Sequence, residues 1–342
     1  MKNTKKPEHK VRKFIINNVD DHRSDIASFT ATHFSITRQA VNLHLKNLVN
    51  RKILTESGET RNKEYILKPL RSWHFDYIIS DELKEDIIWA KDVLPNMNDC
   101  SNSALDVLHH AFTEMFNNAL DHAKGKNIYL KIVENAKFYQ INIRDNGIGI
   151  FKKIKQKLRL SNENHAVFEL TKGKLTTAPK QHSGEGIFFT SRMVNLFTIV
   201  SGKVGFTHSY GEKFDWFREI KNEIKGTYVS FKVNKNSRKN TRDLFLKYAP
   251  PDDHSFNKTV IPINLVEYDE ISLVSRSQAK RVLKRIDDFK IVALDFNKIK
   301  YIGQGFADEI FRVFVNSHPQ VDIVPINTCK KVREMIAHVE GR

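Results

Sequence analysis

The apolar positions of this chain recur with two periods, and the switches between them mark out its parts. Ala104, Leu108, Ala111, Phe112, Met115 and Ala119 fall at three- and four-residue spacing, which predicts one helix with a buried stripe. At 100° per residue, its other face gathers Glu114, Asn118 and Asp121 into a narrow arc. Such an arc is either a solvated helix face or a set of oxygens aimed at a ligand or hydrated metal. Upstream, Val11, Phe14, Ile15 and Val19 predict a first helix, and Ile26, Ala27 and Phe29, after Ser24, predict a second. A third starts after Thr37, a good N-cap, and buries Ala40, Val41, Leu45 and Leu48. Ile53 to Thr55, a turn at Ser57-Gly58, and Lys63 to Leu67 then read as a β-hairpin.

Residues 71–99 read as a helical connector carrying Trp73, Phe75, Tyr77, Ile78, Ile87 and Trp89 and ending at Pro95. Beyond the central helix come two strands, Ile128 to Val133 and Tyr139 to Ile143, an apolar helix through Phe188, Phe189, Met193 and Val194, and an alternating strand after Lys225. A polar stretch containing Pro250-Pro251-Asp252-Asp253 separates this unit from the last one. There, strands at 260–265, 291–296 and 321–326 alternate with helices at 275–289, 306–316 and 330–339, the pattern of an open α/β sheet. The expected organisation is a three-helix and hairpin unit at 1–70, the connector at 71–99, an α/β unit at 100–240, a linker at 241–258 and a small α/β domain at 259–342.

Composition narrows this picture. A length of 342 residues suits two to three domains, at roughly 100 to 200 residues each. Two cysteines, Cys100 and Cys329, fit neither a disulfide framework nor a zinc pattern, which points to a reducing cytoplasm. No apolar run follows the basic start, and no segment has the length of a membrane span, so a soluble cytoplasmic protein is expected. The net charge of +16 favours a polyanionic partner such as nucleic acid, unless it only reflects a basic proteome. Residues 1–70 hold fourteen Lys and Arg against seven Asp and Glu, a large share of that excess. On the third predicted helix Arg38, Gln39, Asn42, His44 and Lys46 face outward. Arg, Gln and Asn are the residue types that read base edges, while Lys46 and Lys52 suit phosphates.

The chemistry-bearing strings lie in the central unit. Asp145-Asn146-Gly147-Ile148-Gly149 closes a strand, where the glycines let the backbone approach a flat ligand and the carboxylate accepts from an exocyclic amine. His182-Ser183-Gly184-Glu185-Gly186 opens a helix whose first N–H groups suit an anion. Lys225-Gly226-Thr227 is a small-residue turn into a strand. Taken in order, ExxxN (Glu114, Asn118), DxGxG, GxG before a helix and GT before a strand resemble the GHKL (Bergerat-fold) ATPase superfamily of gyrase, chaperone, histidine-kinase and mismatch-repair proteins, over residues 100–233.

That resemblance implies an α/β sandwich with helices on one face of a mixed sheet, and ATP and Mg²⁺ as cofactors. It implies Glu114 as the general base that orients water, Asn118 as the Mg²⁺ ligand and Asp145 on the adenine amine. Gly147 and Gly149 would sit beside the ring, Ser183, Gly184 and Gly186 at the phosphates, and Thr227 near the base. Asp121 matches an acidic position of the mismatch-repair type, or only braces the site. Residues 169–177 correspond to a mobile lid from which Lys172, Lys174, Thr176 and Thr177 would reach the γ-phosphate, unless they form a solvated basic loop. The run 152–159, KKIKQKLR, reads as a solvated helix face. His109 and His110 lie on the central helix with no dimerising hairpin ahead of them, so autophosphorylation on His is not expected.

The segment 36–54, ITRQAVNLHLKNLVNRKIL, is similar to the recognition helix and the start of the wing in winged helix-turn-helix repressors. The segment 291–314 resembles STAS domains, and more closely the STAS-like modules fused to ATPases. Regulatory STAS domains carry a phosphorylated Ser where this chain has Gly303-Gln304-Gly305, so a docking or dimerising module is implied. Asp308, Glu309 and Arg312 would supply its surface, unless they are merely solvated.

The whole chain therefore reads as an ATP-binding, slowly hydrolysing regulator whose nucleotide state is coupled to DNA binding. Its expected partners are double-stranded DNA, a protein through the STAS-like domain and a second copy, with no membrane. The alternative is a serine/threonine kinase of the anti-sigma type acting on a separate STAS partner, with Glu114 activating a hydroxyl. A third reading is a scaffold that binds ATP structurally.

Overall fold

The computed structural model describes residues 5–59, 62–122, 124–175, 184–210, 215–248, 256–267 and 273–341. The chain opens with three helices, α1 (Lys5–Asn18), α2 (Ile26–Phe34) and α3 (Arg38–Asn50). Ser35, in the left-handed conformation at φ 54°, ends α2, and the Thr37 hydroxyl accepts the Ala40 N–H at 3.2 Å to start α3. An antiparallel hairpin follows, β1 (Leu54–Ser57) and β2 (Glu64–Leu67), with Leu54 opposite Leu67. Ile15, Ile26, Val41, Leu45, Leu48 and Leu54 form a buried core that Phe138 of the central unit also joins.

Residues 71–99 are not the expected helical connector. Arg71–Ile78 form a strand, β3, because Trp73, Phe75 and Tyr77 alternate with exposed neighbours at a period of two. The helical part is short: α4 (Glu85–Ile88) runs into a π-helical turn at Trp89–Val93 and a 3₁₀ turn at Leu94–Asn96.

The central unit comprises α5 (Asn102–His122), β4 (Asn127–Glu134), β5 (Phe138–Asp145), α6 (Ile150–Leu158), α7 (Glu163–Lys172), α8 (Gly186–Met193), β6 (Leu196–Ser209) and β7 (Trp216–Asn234). Its five strands lie in the order β3-β4-β5-β7-β6. Each neighbouring pair is antiparallel, so the sheet is not the mixed one expected. β4 and β5 are joined by the short turn at 135–137, whereas β3 reaches β4 only after α4 and α5, and β5 meets β7 only after α6, α7, α8 and β6. The predicted stripe of α5 is fully buried at Leu108, Ala111 and Phe112, and the helix lies across β5 and β7 with α8 at its side.

The expected linker begins with a helix, α9 (Thr241–Tyr248), whose Phe245 ring sits 4.3 Å from that of Phe189. In the C-terminal domain β8 (Lys258–Pro262), β9 (Ile291–Asp295) and β10 (Asp322–Ile326) form a parallel sheet in the order β10-β9-β8. It is covered by α10 (Asn264–Glu267), α11 (Arg276–Leu283), α12 (Gln304–Asp308) with a π-helical continuation at Glu309–Phe314, α13 (Val315–Ser317) and α14 (Lys330–Glu340). Ser275 and Gln278 cap α11 reciprocally.

This domain shares a core with the central unit. The Phe256 ring lies 4.6 Å from that of Phe188, tilted by 43°, and meets that of Phe289 edge-on at 5.3 Å, joining α8 to the C-terminal domain. A buried charge cluster lies beside it. Glu169 receives Lys172 at 2.8 Å and Arg285 at 3.0 Å, and the Lys172 ammonium also donates to the carbonyls of Arg281 and Lys284. Among the described residues no helix is long and apolar enough to cross a membrane.

Candidate functional site

The turn after β5 is built around Asp145. Its side chain is 3% exposed, and its Oδ1 accepts the Gly147 N–H at 2.8 Å. Thr227 donates to it from both backbone and hydroxyl, while the Thr227 hydroxyl accepts the Ile150 N–H at 3.1 Å. Burial pushes the Asp145 carboxyl above its ordinary value, and these hydrogen bonds offset part of that shift. The carboxylate is thus held rigid, dry and acceptor-rich at the end of a strand.

Two glycines make the close approach possible. A Cβ on Gly226 would sit 2.1 Å from the Asp145 carbonyl oxygen, and φ there is +79°. Gly149, at φ +88°, leaves no room for a Cβ beside Ser201 Oγ, which would be 2.4 Å away. Ser201 and Asn146 are residues the sequence reading missed. Ser201 Oγ donates to the Gly226 carbonyl at 3.0 Å, and Asn146 Oδ1 accepts the N–H groups of Lys126 and Asn127, tying the turn to the start of β4. The visible hint for Ser201 was a hydroxyl inside an apolar strand run, LFTIVSGKV.

The second part of the site faces α8. A Cβ on Gly186 would fall 1.9 Å from Glu114 Oε2, so the Glu114 carboxylate lies directly against the first residue of α8. Asn118 follows one helical turn later on α5, half-buried. Asp121 is exposed, and its charge acts on Lys153 of α6. Gly184 is at φ +77°, and its carbonyl accepts the Leu175 N–H at 3.2 Å, bringing the two ends of the intervening segment together. Thr177 and Ser183, along with Thr176, lie outside the described residues.

The two lysines expected over a phosphate are placed elsewhere. Lys172 is fully buried in the Glu169 cluster, where desolvation lowers its pKa to about 8. Lys174 donates to the Asp288 carbonyl at 2.7 Å and to Asn257 Oδ1 at 3.2 Å, with its ammonium 4.8 Å from the Phe289 ring centre. Both cations fasten the C-terminal domain, because that domain supplies the carbonyls and ring faces that replace water around them.

On α3, Arg38, Gln39, Asn42 and Lys46 are exposed, with Leu43 70% exposed among them. His44 departs from the expected outward row: it is half-buried, and its Nδ1 accepts from Arg12 of α1 at 3.5 Å. Desolvation and the Arg12 charge lower its pKa, so the ring is neutral and turned toward α1.

Residues 104–236 match the family model described as histidine kinase-, DNA gyrase B-, and HSP90-like ATPase. An ATPase domain of this type, which implies ATP binding, is therefore present in the chain, and it coincides with the α5 to β7 unit. Residues 278–333 match the family described as a STAS-like domain of unknown function. No curated protein matches the chain. Among the described residues no three His, Cys, Asp or Glu side chains gather as a metal cluster. An Mg²⁺ held by one amide oxygen and nucleotide phosphates needs no such cluster, and the amide of Asn118, half-buried on α5 one turn from Glu114, is of the chemistry that suits that ion.

Proposed function

We propose that this protein binds ATP with Mg²⁺, hydrolyses it slowly, and couples its nucleotide state to binding of double-stranded DNA. Asp145 accepts from the adenine amine, with Thr227 and the glycines at 147 and 149 against the ring. Gly184 and Gly186 present backbone N–H groups to the phosphates. Asn118 would hold Mg²⁺, whose charge, when bound, would offset that of the phosphate oxygens. Glu114 orients the attacking water and takes up its proton. The observation that supports this reading is the contact of the Glu114 carboxylate with the first residue of α8, Gly186.

The N-terminal unit is read as a winged helix whose α3 enters the major groove with Arg38, Gln39 and Asn42 toward base edges and Lys46 toward phosphate. It is joined to the ATPase sheet without slack: only residues 68–70 separate β2 from β3. Lys137, in the turn between β4 and β5, pairs with Asp20 at 3.1 Å. Coupling requires that ATP bind the DNA-competent and incompetent states with different affinities.

The test is a set of titrations on the full chain. Glu114→Ala should retain ATP binding and lose turnover, whereas Asp145→Asn should lose binding. Duplex affinity, read by anisotropy, should differ between the apo protein and the protein saturated with a non-hydrolysable ATP analogue. Equal affinities remove the coupling, and label transferred from ATP to protein instead of free phosphate replaces hydrolysis with kinase activity.

A further inference from the structure

The ATPase and STAS-like domains do not meet flush. Between the α6–α7 loop and α11 lies a cavity of about 510 Å³, within the size range of small-molecule sites. Its walls share no residue with the nucleotide set described above. One wall is Arg159, Ser161, Asn162 and His165 of the ATPase domain; the facing wall is Arg281 and Lys284 of the STAS-like domain. Leu160, Phe168 and Leu265 supply an apolar floor.

Among the described residues three cationic side chains, Arg159, Arg281 and Lys284, line the cleft, Arg281 being already engaged by other groups. The carboxylate that also lines it, Glu169, is met by Lys172 and Arg285 at 2.8 and 3.0 Å. The polar groups are also pre-oriented. Arg281 Nη1 donates to His165 Nε2 at 2.9 Å, so that nitrogen carries a lone pair and the ring proton sits on Nδ1. Nδ1–H then donates to Ser161 Oγ at 2.8 Å, which leaves the Ser161 hydroxyl hydrogen to turn into the cleft. Asn162 caps α7 through His165 N–H, fixing the loop that carries Arg159 and Ser161. Guanidinium groups on a capped loop and on α11, with the Ser161 hydroxyl beside them, are the chemistry that recognises phosphate or carboxylate oxygens.

We propose that the cleft between the α6–α7 loop and α11 is a second ligand site, which takes a small polyanion bearing phosphate or carboxylate groups and bridges the ATPase and STAS-like domains. Because its two walls come from different domains, occupancy favours the docked arrangement over any in which α11 moves off α7.

The probes are inorganic pyrophosphate and citrate, titrated separately into the full chain by calorimetry; whichever saturates identifies the oxygen class. Arg159→Gly removes one guanidinium at a position whose φ of 50° glycine adopts without strain, so the fold is kept. Arg281→Ala removes the facing one. Each variant should weaken the probe by about tenfold or more, the scale of a charge-assisted contact. Asn118→Ala, which removes a side chain assigned to the phosphate end of the nucleotide site, should leave probe binding unchanged. The proposal is overturned if neither probe saturates, if both arginine variants bind like wild type, or if Asn118→Ala abolishes the probe signal. The last result would place the anion in the nucleotide site and leave the ATP reading intact.

Discussion

Lys172→Ala tests whether the two domains are locked by the buried Glu169 cluster. The ammonium is 0% exposed and makes three bonds, to Glu169 at 2.8 Å, to the Lys284 carbonyl at 2.8 Å and to the Arg281 carbonyl at 3.0 Å. Removing it leaves the Lys284 carbonyl without that donor, while the Arg281 carbonyl keeps the long 3.4 Å bond from Lys284 N–H. Glu169 retains Arg285, so its charge is not stranded. Breaking a buried pair costs about 3 to 5 kcal/mol, and the surviving Arg285 puts this case near the lower figure, roughly 3 kcal/mol. At a urea slope of about 2 to 3 kcal/mol per molar, the unfolding midpoint should drop by about 1 M or more.

All three tryptophans, Trp73, Trp89 and Trp216, precede the STAS-like domain, so their fluorescence follows the ATPase part while far-UV dichroism follows the whole. Both signals should shift together. Lys172→Met, which refills the volume without the charge, should recover only the packing share. The pKa of about 8 fixes the pH sense. The unfolded chain holds this proton more tightly, so wild-type stability from this group rises as pH climbs from about 8 to 10.5. Lys172→Ala lacks that rise. A loss below about 1 kcal/mol at pH 7, or an identical pH slope in wild type and variant, would refute the buried lock.

Gly186→Ala should displace the Glu114 carboxylate, since the new Cβ would start 1.9 Å from Oε2; turnover should fall at least tenfold while the melting temperature changes little, because the displaced atom ends a flexible side chain. The pH dependence of ATP binding should follow Asp145. Its ionised form is the better acceptor for the amine, and burial raises its pKa above the ordinary 3.8. Affinity should thus be present at neutral pH and decline at a mildly acidic pH where an ordinary aspartate is still charged. Stability from the same group runs the other way, since the folded state holds the proton better and loses that advantage as pH rises. A binding profile flat down to pH 4 would contradict this environment.

The parts of the molecule that were legible were those whose partners lie close in sequence or whose periodicity is strong. The stripe of α5 is one such case, and the Asp145 turn with its glycines is another. The strand β3 was misread because its apolar residues are large aromatics with Ile78 and Ile87 following, a mixture that a helical frame absorbs. Pairing with β4, 49 to 63 residues away, is what makes the two-residue alternation of Trp73, Phe75 and Tyr77 decisive. Lys172 and Lys174 look like a basic loop because nothing local announces the carbonyls at 281, 284 and 288 that meet them. His44 was assigned outward by helical spacing, yet α1 closes over that part of α3 and takes the ring.

The strand β3 also bears on how the chain can be divided. It lies ahead of the segment matched to the ATPase family, which begins at residue 104, yet it pairs with β4 along all eight of its residues, from Arg71 opposite Glu134 to Ile78 opposite Asn127. A fragment cut at the family boundary would strip β4 of its neighbour and bare a row of unpaired amides beside Leu130 and Ile132, the kind of raw edge that recruits other chains. A soluble ATPase fragment should therefore start near residue 68, and the head that precedes it can be removed only by severing the peptide between the hairpin and the sheet.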